Sequence, residues 1–235
     1  MSRTRFLQIV FDKPMQSYDV PKLRAAIIEK TQRMSDLFHN HLGDKTFIYR
    51  YPLIQYKIKD RRPCLVCLKE ATEDIHYLLR ERDFCFNING THYDLEIEDV
   101  RLRYVNIQTF DKLFTYNIHN YISLNQDNFE LYKRLESLVE KIAFLEKMLC
   151  KHLEIFMEEM GAEAPFPLKC QIVVIKNEKY IRYKNVFHLT FSLNFRSNLV
   201  IPNYVGIGKG VSVGFGIIKK LGEGRPSSRR NNKED

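Results

Sequence analysis

Two stretches of this chain carry residue types that could do chemistry. The first is His39-Asn40-His41. An imidazole titrates near neutral pH, so either ring can accept or donate a proton under cellular conditions. The same three letters name a class of metal-dependent nucleases, but there they stand for scattered residues on a metal-binding ββα fold, and that context is missing here. A histidine at a helix end also serves simply as a cap that suits the helix dipole. The second stretch is Gly206-Ile207-Gly208-Lys209-Gly210-Val211-Ser212-Val213-Gly214-Phe215-Gly216, which holds five of the ten glycines in the chain. Glycine reaches positive φ cheaply and lets another backbone come close, at a cost in unfolded-state entropy. Bare N–H groups along such a loop form a nest for an anion such as a phosphate. Lys209 adds a positive charge to it.

The known glycine signatures do not fit this loop. The dinucleotide fingerprint Gly-x-Gly-x-x-Gly is absent, and so is the Gly-Lys-Ser/Thr of the P-loop. A glycine-rich turn between strands satisfies the same letters. Elsewhere, Cys64-x-x-Cys67 lacks the second ligand pair of a structural zinc site. Its two positions face opposite sides of a strand, so buried thiols are expected. His188 sits on the polar side of a strand before the loop. His76, His92, His119 and His152 belong to no visible constellation, and no paired carboxylate motif appears.

The elements that position these residues follow from hydrophobic periodicity. Phe6–Phe11 reads as a strand. Pro21 opens a helix over about 21–38 through Leu23, Ile27, Met34, Leu37 and Phe38, with His39 at its end. Phe47–Ile58 reads as a strand, interrupted by Pro52, and Arg62–Leu68 as another. Ala71–Arg82 reads as a second helix. Phe84–Ile88 and His92–Ile97 form a hairpin around Asn89-Gly90, and Val100–Ile107 extends the sheet. This β-α-β-β-α-β order is the ferredoxin-like split unit, whose open sheet face suits RNA. A second unit begins near Tyr116. It contains a short strand at Tyr121–Leu124, a long helical stretch over Gln126–Met160 broken once, and a strand at Cys170–Ile175. A coiled-coil partner helix is an alternative for the long stretch. In Phe187, Leu189, Phe191, Leu193 and Phe195 the alternation is strict, with His188, Thr190, Ser192, Asn194 and Arg196 on the other face. A last strand, Gly214–Lys220, follows the loop.

Bulk properties bound the class. The net charge of +8 and pI of about 9.1 favour a polyanionic partner. No apolar run is long enough to cross a membrane, and no signal peptide is visible. Five cysteines without a framework suit a reducing compartment, so a cytoplasmic protein is expected.

The glycine loop has a frame of two Gly-apolar-Gly triplets, Gly206-Ile207-Gly208 and Gly214-Phe215-Gly216, five residues apart near the C-terminus. That frame, with the strand Tyr183–Phe195 and the lead-in Tyr204-Val205, resembles the RAMP superfamily of CRISPR-associated RNA-binding proteins. It looks most like the endoribonucleases that cut CRISPR repeat transcripts (pre-crRNA) into guide RNAs. The likeness covers roughly residues 1–60 and 165–220. It implies an α+β protein of two tandem ferredoxin-like (RRM-like) domains with a C-terminal glycine-rich loop. The domains are expected at 1–115, carrying the catalytic histidine, and 116–221, carrying the loop, with a disordered basic tail at 222–235.

In that family a histidine near the end of the first helix is commonly the catalytic base, and in one branch a lysine follows six residues later. His39 and Lys45 have that spacing, and His41 competes with His39 for the role. The branch also has a tyrosine in the first helix, whereas this chain has none from Val20 to Phe38. The implied reaction is metal-independent cleavage by attack of a 2′-OH on the adjacent phosphate, with no cofactor. The residues implied to hold RNA are Gly206, Gly208, Lys209, Gly210, Ser212, Gly214 and Gly216, with His188 and Arg196 beside them. The implied partners are CRISPR repeat RNA, other CRISPR-associated proteins and a second copy in a homodimer. The alternative is a non-catalytic RAMP-superfamily subunit that binds guide RNA in an effector complex. An enzyme acting on a small phosphorylated ligand is a third class, opposed by the absent fingerprints.

Overall fold

The first strand, β1 (Arg3–Phe11), is buried from Phe6 to Phe11, because elements cover both faces of the sheet it centres. The computed structural model describes residues 3–31, 37, 41–42, 46–47, 51–81 and 83–222. Helix α1 (Val20–Lys30) has Pro21 in its first turn and buries Val20, Leu23 and Ile27, one stripe of a helical face. A small hairpin follows, β2 (His41–Leu42) paired with β3 (Thr46–Phe47). β4 (Ile54–Lys59) and β5 (Arg62–Leu68) are joined by Asp60 and Arg61, both at positive φ, which suits the twist of a two-residue hairpin turn. The second helical stretch is two short turns, α2 (Ala71–Asp74) and α3 (His76–Leu79), rather than one helix to residue 82. The hairpin β6 (Phe84–Ile88) and β7 (Thr91–Leu95) turns at Asn89-Gly90, both at positive φ, and stands apart as its own two-stranded sheet. β8 (Ile97–Asn106) returns to pair with β1.

The first sheet has the order β4-β5-β1-β8 and is antiparallel throughout. This is the ferredoxin-like arrangement, with the β6–β7 hairpin inserted before the last strand.

The second half repeats it. β9 (Thr109–Tyr121) is followed by α4 (Gln126–Arg134) and α5 (Leu138–Met160), then β10 (Cys170–Tyr183), β11 (Val186–Leu199) and β12 (Ile217–Lys220). The sheet order is β10-β11-β9-β12. By position in their units, both sheets therefore run second, third, first, fourth. The sequence shows no internal repeat, so the duplication is one of topology. The expected boundary at 115/116 falls inside β9, while the chain passes from one sheet to the other between Asn106 and Thr109.

The break in the long helical stretch lies at Leu135–Ser137. Asn125 caps α4, and Ser137 with Glu140 forms a capping box at the start of α5. Gly161, in the left-handed region, ends α5. Leu145, Leu149, Leu153, Phe156 and Met160 are buried within this chain, so the apolar seam serves its own core rather than a coiled-coil partner. Among the described residues no helix is long and apolar enough to cross a membrane.

Candidate nucleic-acid interface

The glycine loop is not an open arch. Its frame is closed against β4 and β9. Gly206 donates its N–H to Gln55 Oε1 at 3.0 Å, and its carbonyl accepts from the Tyr51 hydroxyl at 2.7 Å. Gln55 Nε2 in turn donates to that hydroxyl at 2.8 Å. Lys209 N–H donates to the Ile122 carbonyl, and Gly216 N–H to the Asn120 carbonyl. Ile207 N–H closes the base of the loop on the Gly216 carbonyl at 3.0 Å. Gly216 has φ +62°, and a Cβ there would run into the Ile207 carbonyl, so only glycine fits. Gly208 lies over the Tyr121 ring, and Gly210 accepts from the N–H groups of Val213 and Phe215.

The tip differs from the frame. The N–H groups of Gly208, Gly210, Val211 and Ser212 have no acceptor among the described residues. Lys209 is exposed and Ser212 half-buried beside them. A cluster of unpaired N–H groups around an ammonium is what an anion nest requires. The free N–H groups of the loop thus lie at its centre, and the outer glycines serve close packing.

His188 joins this tip. It is half-buried, its ring lies 6.0 Å from that of Tyr183, and Tyr183 packs 5.2 Å from the ring of Phe215 in the loop. Burial, and then the charge of Lys209, hold the His188 imidazolium below its usual range. Arg24 on α1 reaches the same neighbourhood. Its charge acts on both Tyr183 and Tyr56, partly offsetting the upward push of burial on their hydroxyls. Lys209, His188 and Arg24 therefore gather around one corner. Arg196 does not join them. It is exposed on β11, eight residues from His188, or about 26 Å at strand rise.

His39 and Lys45 lie outside the described residues. His41 pairs its backbone with Phe47 in the β2–β3 hairpin, downstream of α1.

The polar side of β11 is not an open face. Thr190 and Ser192 are buried. The Thr190 hydroxyl donates to the Lys179 carbonyl at 2.9 Å, and Ser192 Oγ lies 3.1 Å from His119 Nδ1. Asn194 accepts from Asn117 Nδ2 at 3.0 Å. Phe187, expected on the core side, is 68% exposed because it lies beside the turn between β10 and β11. Cys64 and Cys67 are both buried in β5, as expected.

Sequence reasoning missed several basic and polar residues that the fold collects. Lys57 is fully buried beneath the loop, and desolvation pushes its ammonium down to about 7. Lys59 and Lys219 stand 5.5 and 4.8 Å from the centre of the Tyr204 ring, one from each sheet. Asn117, His119, Lys219, Ile58 and Ile217 line a cavity of about 250 Å³ between the sheets. His152 Nδ1 on α5 lies 2.6 Å from the Tyr121 hydroxyl, and burial takes the imidazolium down to about 4. No linear motif joins these residues, because they come from elements far apart in the chain.

Known proteins share this arrangement across its whole length. Residues 3–106 match the model of the Cas6b N-terminal domain, and residues 108–221 that of the Cas6b C-terminal domain. A crystal structure of Cas6b superimposes with a TM-score of 0.84 at 26% identity, covering 94% of this chain and 100% of the other. A crystal structure described as that of the CRISPR RNA processing endoribonuclease Cas6b has a TM-score of 0.71 at 26% identity, with the same coverage. An uncharacterized protein of Methanocaldococcus jannaschii is 28% identical over 145 residues, 58% of this chain and 92% of its own. With both halves matched in order and the two sheets built alike, the chain belongs to the Cas6b family of CRISPR RNA-processing endoribonucleases.

Proposed function

We propose that this protein cuts CRISPR repeat transcripts into guide RNAs by metal-independent attack of a 2′-OH on the adjacent phosphate. The observation that supports the reading best is the end-to-end likeness to a relative described as a CRISPR RNA processing endoribonuclease. The corner formed by Lys209, His188 and Arg24 agrees with it, since an RNA backbone needs cations and free donors in one place.

In this mechanism the reacting strand lies across the loop tip. Phosphate oxygens accept from the free N–H groups and from Lys209. One imidazole, His39 or His41, takes the proton of the 2′-OH as its oxygen attacks phosphorus. A proton is delivered to the 5′-oxygen as it leaves, giving a 2′,3′-cyclic phosphate. Lys45 stabilises the charge that grows on the phosphorane. The proton abstraction uses an imidazole, whose protonation changes near neutral pH, which is where general acid–base work is efficient.

The test is single-turnover cleavage of a cognate repeat. Cleavage should survive excess EDTA and stop when the 2′-OH upstream of the scissile bond is replaced by hydrogen. His39→Ala or His41→Ala should lower the rate by roughly 10²-fold or more with little change in binding. Cleavage of the deoxy substrate, or strict dependence on Mg²⁺, would overturn the mechanism. Tight binding of repeat RNA without cleavage would favour the guide-RNA-binding subunit instead.

A further inference from the structure

Outside the RNA corner, α5 and β10 bring two thiols together. Glu146 Oε1 on α5 accepts the N–H of Ile172 on β10 at 2.7 Å. One helical turn on from Glu146 is Cys150, about 6 Å further along the axis. Two residues back from Ile172 is Cys170, about 6.6 Å along the strand. The helix of a β-α-β unit runs antiparallel to the strand that follows it, so the two steps lead to the same place. There each thiol acts on the ionisation of the other. Both cysteines are half-buried rather than sealed, and both are reduced.

We propose that Cys150 and Cys170 are a built-in thiol–disulfide exchange site, oxidised to an intramolecular disulfide by low-molecular-weight disulfides. The two residues are not equivalent. The thiol of Cys170 donates to Cys150, which favours the Cys150 thiolate and pushes Cys170 up. Cys150 is therefore the attacking sulfur. Its thiolate attacks one sulfur of the small disulfide, forms a mixed disulfide and expels a small thiolate. Cys170 then loses its proton to solvent and attacks the Cys150 sulfur, expelling the second small thiol. Two electrons pass from the protein to the small disulfide, which becomes two thiols.

The other cysteines are unsuited to this. Cys64 and Cys67 are buried in the sheet, where desolvation disfavours their thiolates. Cys85 donates to the Asp94 carboxylate at 3.3 Å, which also raises it. The Cys150–Cys170 bond would close a loop of about 20 residues containing the end of α5, the Gly161 turn and Pro165-Phe166-Pro167. Closing such a loop restricts the unfolded chain and ties α5 to β10.

The full chain is incubated with 2-hydroxyethyl disulfide under native conditions, quenched with iodoacetamide and mapped by mass spectrometry without reduction. The expected result is a Cys150–Cys170 cross-linked peptide, with the free-thiol titre falling by two of the five. The Tm of the oxidised protein should rise by roughly 5–10 °C and return on reduction. Cys150→Ser and Cys170→Ser should each abolish the cross-link and the rise. Stable mixed disulfides on both residues without a cross-link would overturn the proposal. So would a cross-link that appears only in denaturant. The wild-type map stands by itself if either variant fails to fold.

Discussion

The Nζ of Lys57 lies 3.5 Å from the carbonyl oxygen of Val211, 154 residues further along the chain, in space that exists because Gly206 has no side chain. Through this contact the edge strand of the first sheet meets the glycine loop of the second. Tyr51, just before the same strand, and Gln55, on it, hold both polar groups of Gly206. Further along the seam, Lys69 Nζ donates to the Glu159 carbonyl at 2.9 Å, and the rings of Tyr51 and Phe156 lie 5.3 Å apart. The loop is thus a structural bolt between the two domains.

Gly206→Ala tests the bolt. The added Cβ would sit 2.8 Å from both Lys57 Nζ and Val211 Cγ1. Overpacking of this kind costs about 1–3 kcal/mol, to be read from urea denaturation. Lys57→Ala in the same chain should recover part of the loss, because the two sites share one space. Additive effects would mean that Val211 alone sets the limit.

Lys57 gives the protein a distinct alkaline profile. Burial lowers its pKa from 10.5 to about 7 in the folded state. Between those values the unfolded chain binds more protons than the folded one, so stability rises with pH. The slope contributed is at most about 1.4 kcal/mol per pH unit. Lys57→Met should be more stable than wild type at pH 7, with the difference shrinking toward pH 10. Parallel stability curves across that window would show that Lys57 keeps its proton in the folded protein and that burial does not lower its pKa.

His152 acts at the acid end. Its pKa falls from 6.5 to about 4, chiefly through burial, while its Nδ1 is hydrogen-bonded with the Tyr121 hydroxyl. Acidification from pH 6.5 to 4 therefore protonates the unfolded chain first and lowers stability. His152→Phe should flatten that part of the pH profile, whatever its effect at pH 7. An unchanged acid slope in thermal melts would remove His152 from this role.

Lys209→Ala and Gly214→Val separate charge from backbone at the loop. Lys209 is exposed at the tip, so removing it should weaken RNA binding and reduce the salt slope by roughly 0.7, one contact to single-stranded RNA. Gly214 has φ +91°, a conformation that strains a β-branched residue even though the nearest atom, the Tyr56 carbonyl oxygen, is 3.5 Å from the added Cβ. Gly214→Val should distort the tip and lower affinity further than Lys209→Ala, in a protein that is still folded by circular dichroism. Equal affinity of Gly214→Val and wild type would reduce the loop to its structural task.

The sequence by itself determined the α+β class, the family likeness, the Asn89-Gly90 hairpin and a single break in the long helical stretch. These are local matters. Turn chemistry, glycine spacing and the 3.6-residue period act over a few residues and leave their mark in adjacent letters. It did not reveal β9, because Thr109–Tyr121 mixes Asp, Lys, Asn and His into a strand whose burial comes from β11 and β12 on either side. Nor did it reveal that Thr190 and Ser192 would be buried, since their partners lie across β-ladders. Only the tertiary structure decided that the outer glycines pack against β4 while Lys209 meets His188, and that Arg196 stands elsewhere. Lys57 shows the reason most plainly. A lysine in an amphipathic strand is normally solvated, and it becomes a buried, pKa-shifted contact only when a loop from the other end of the chain closes over it.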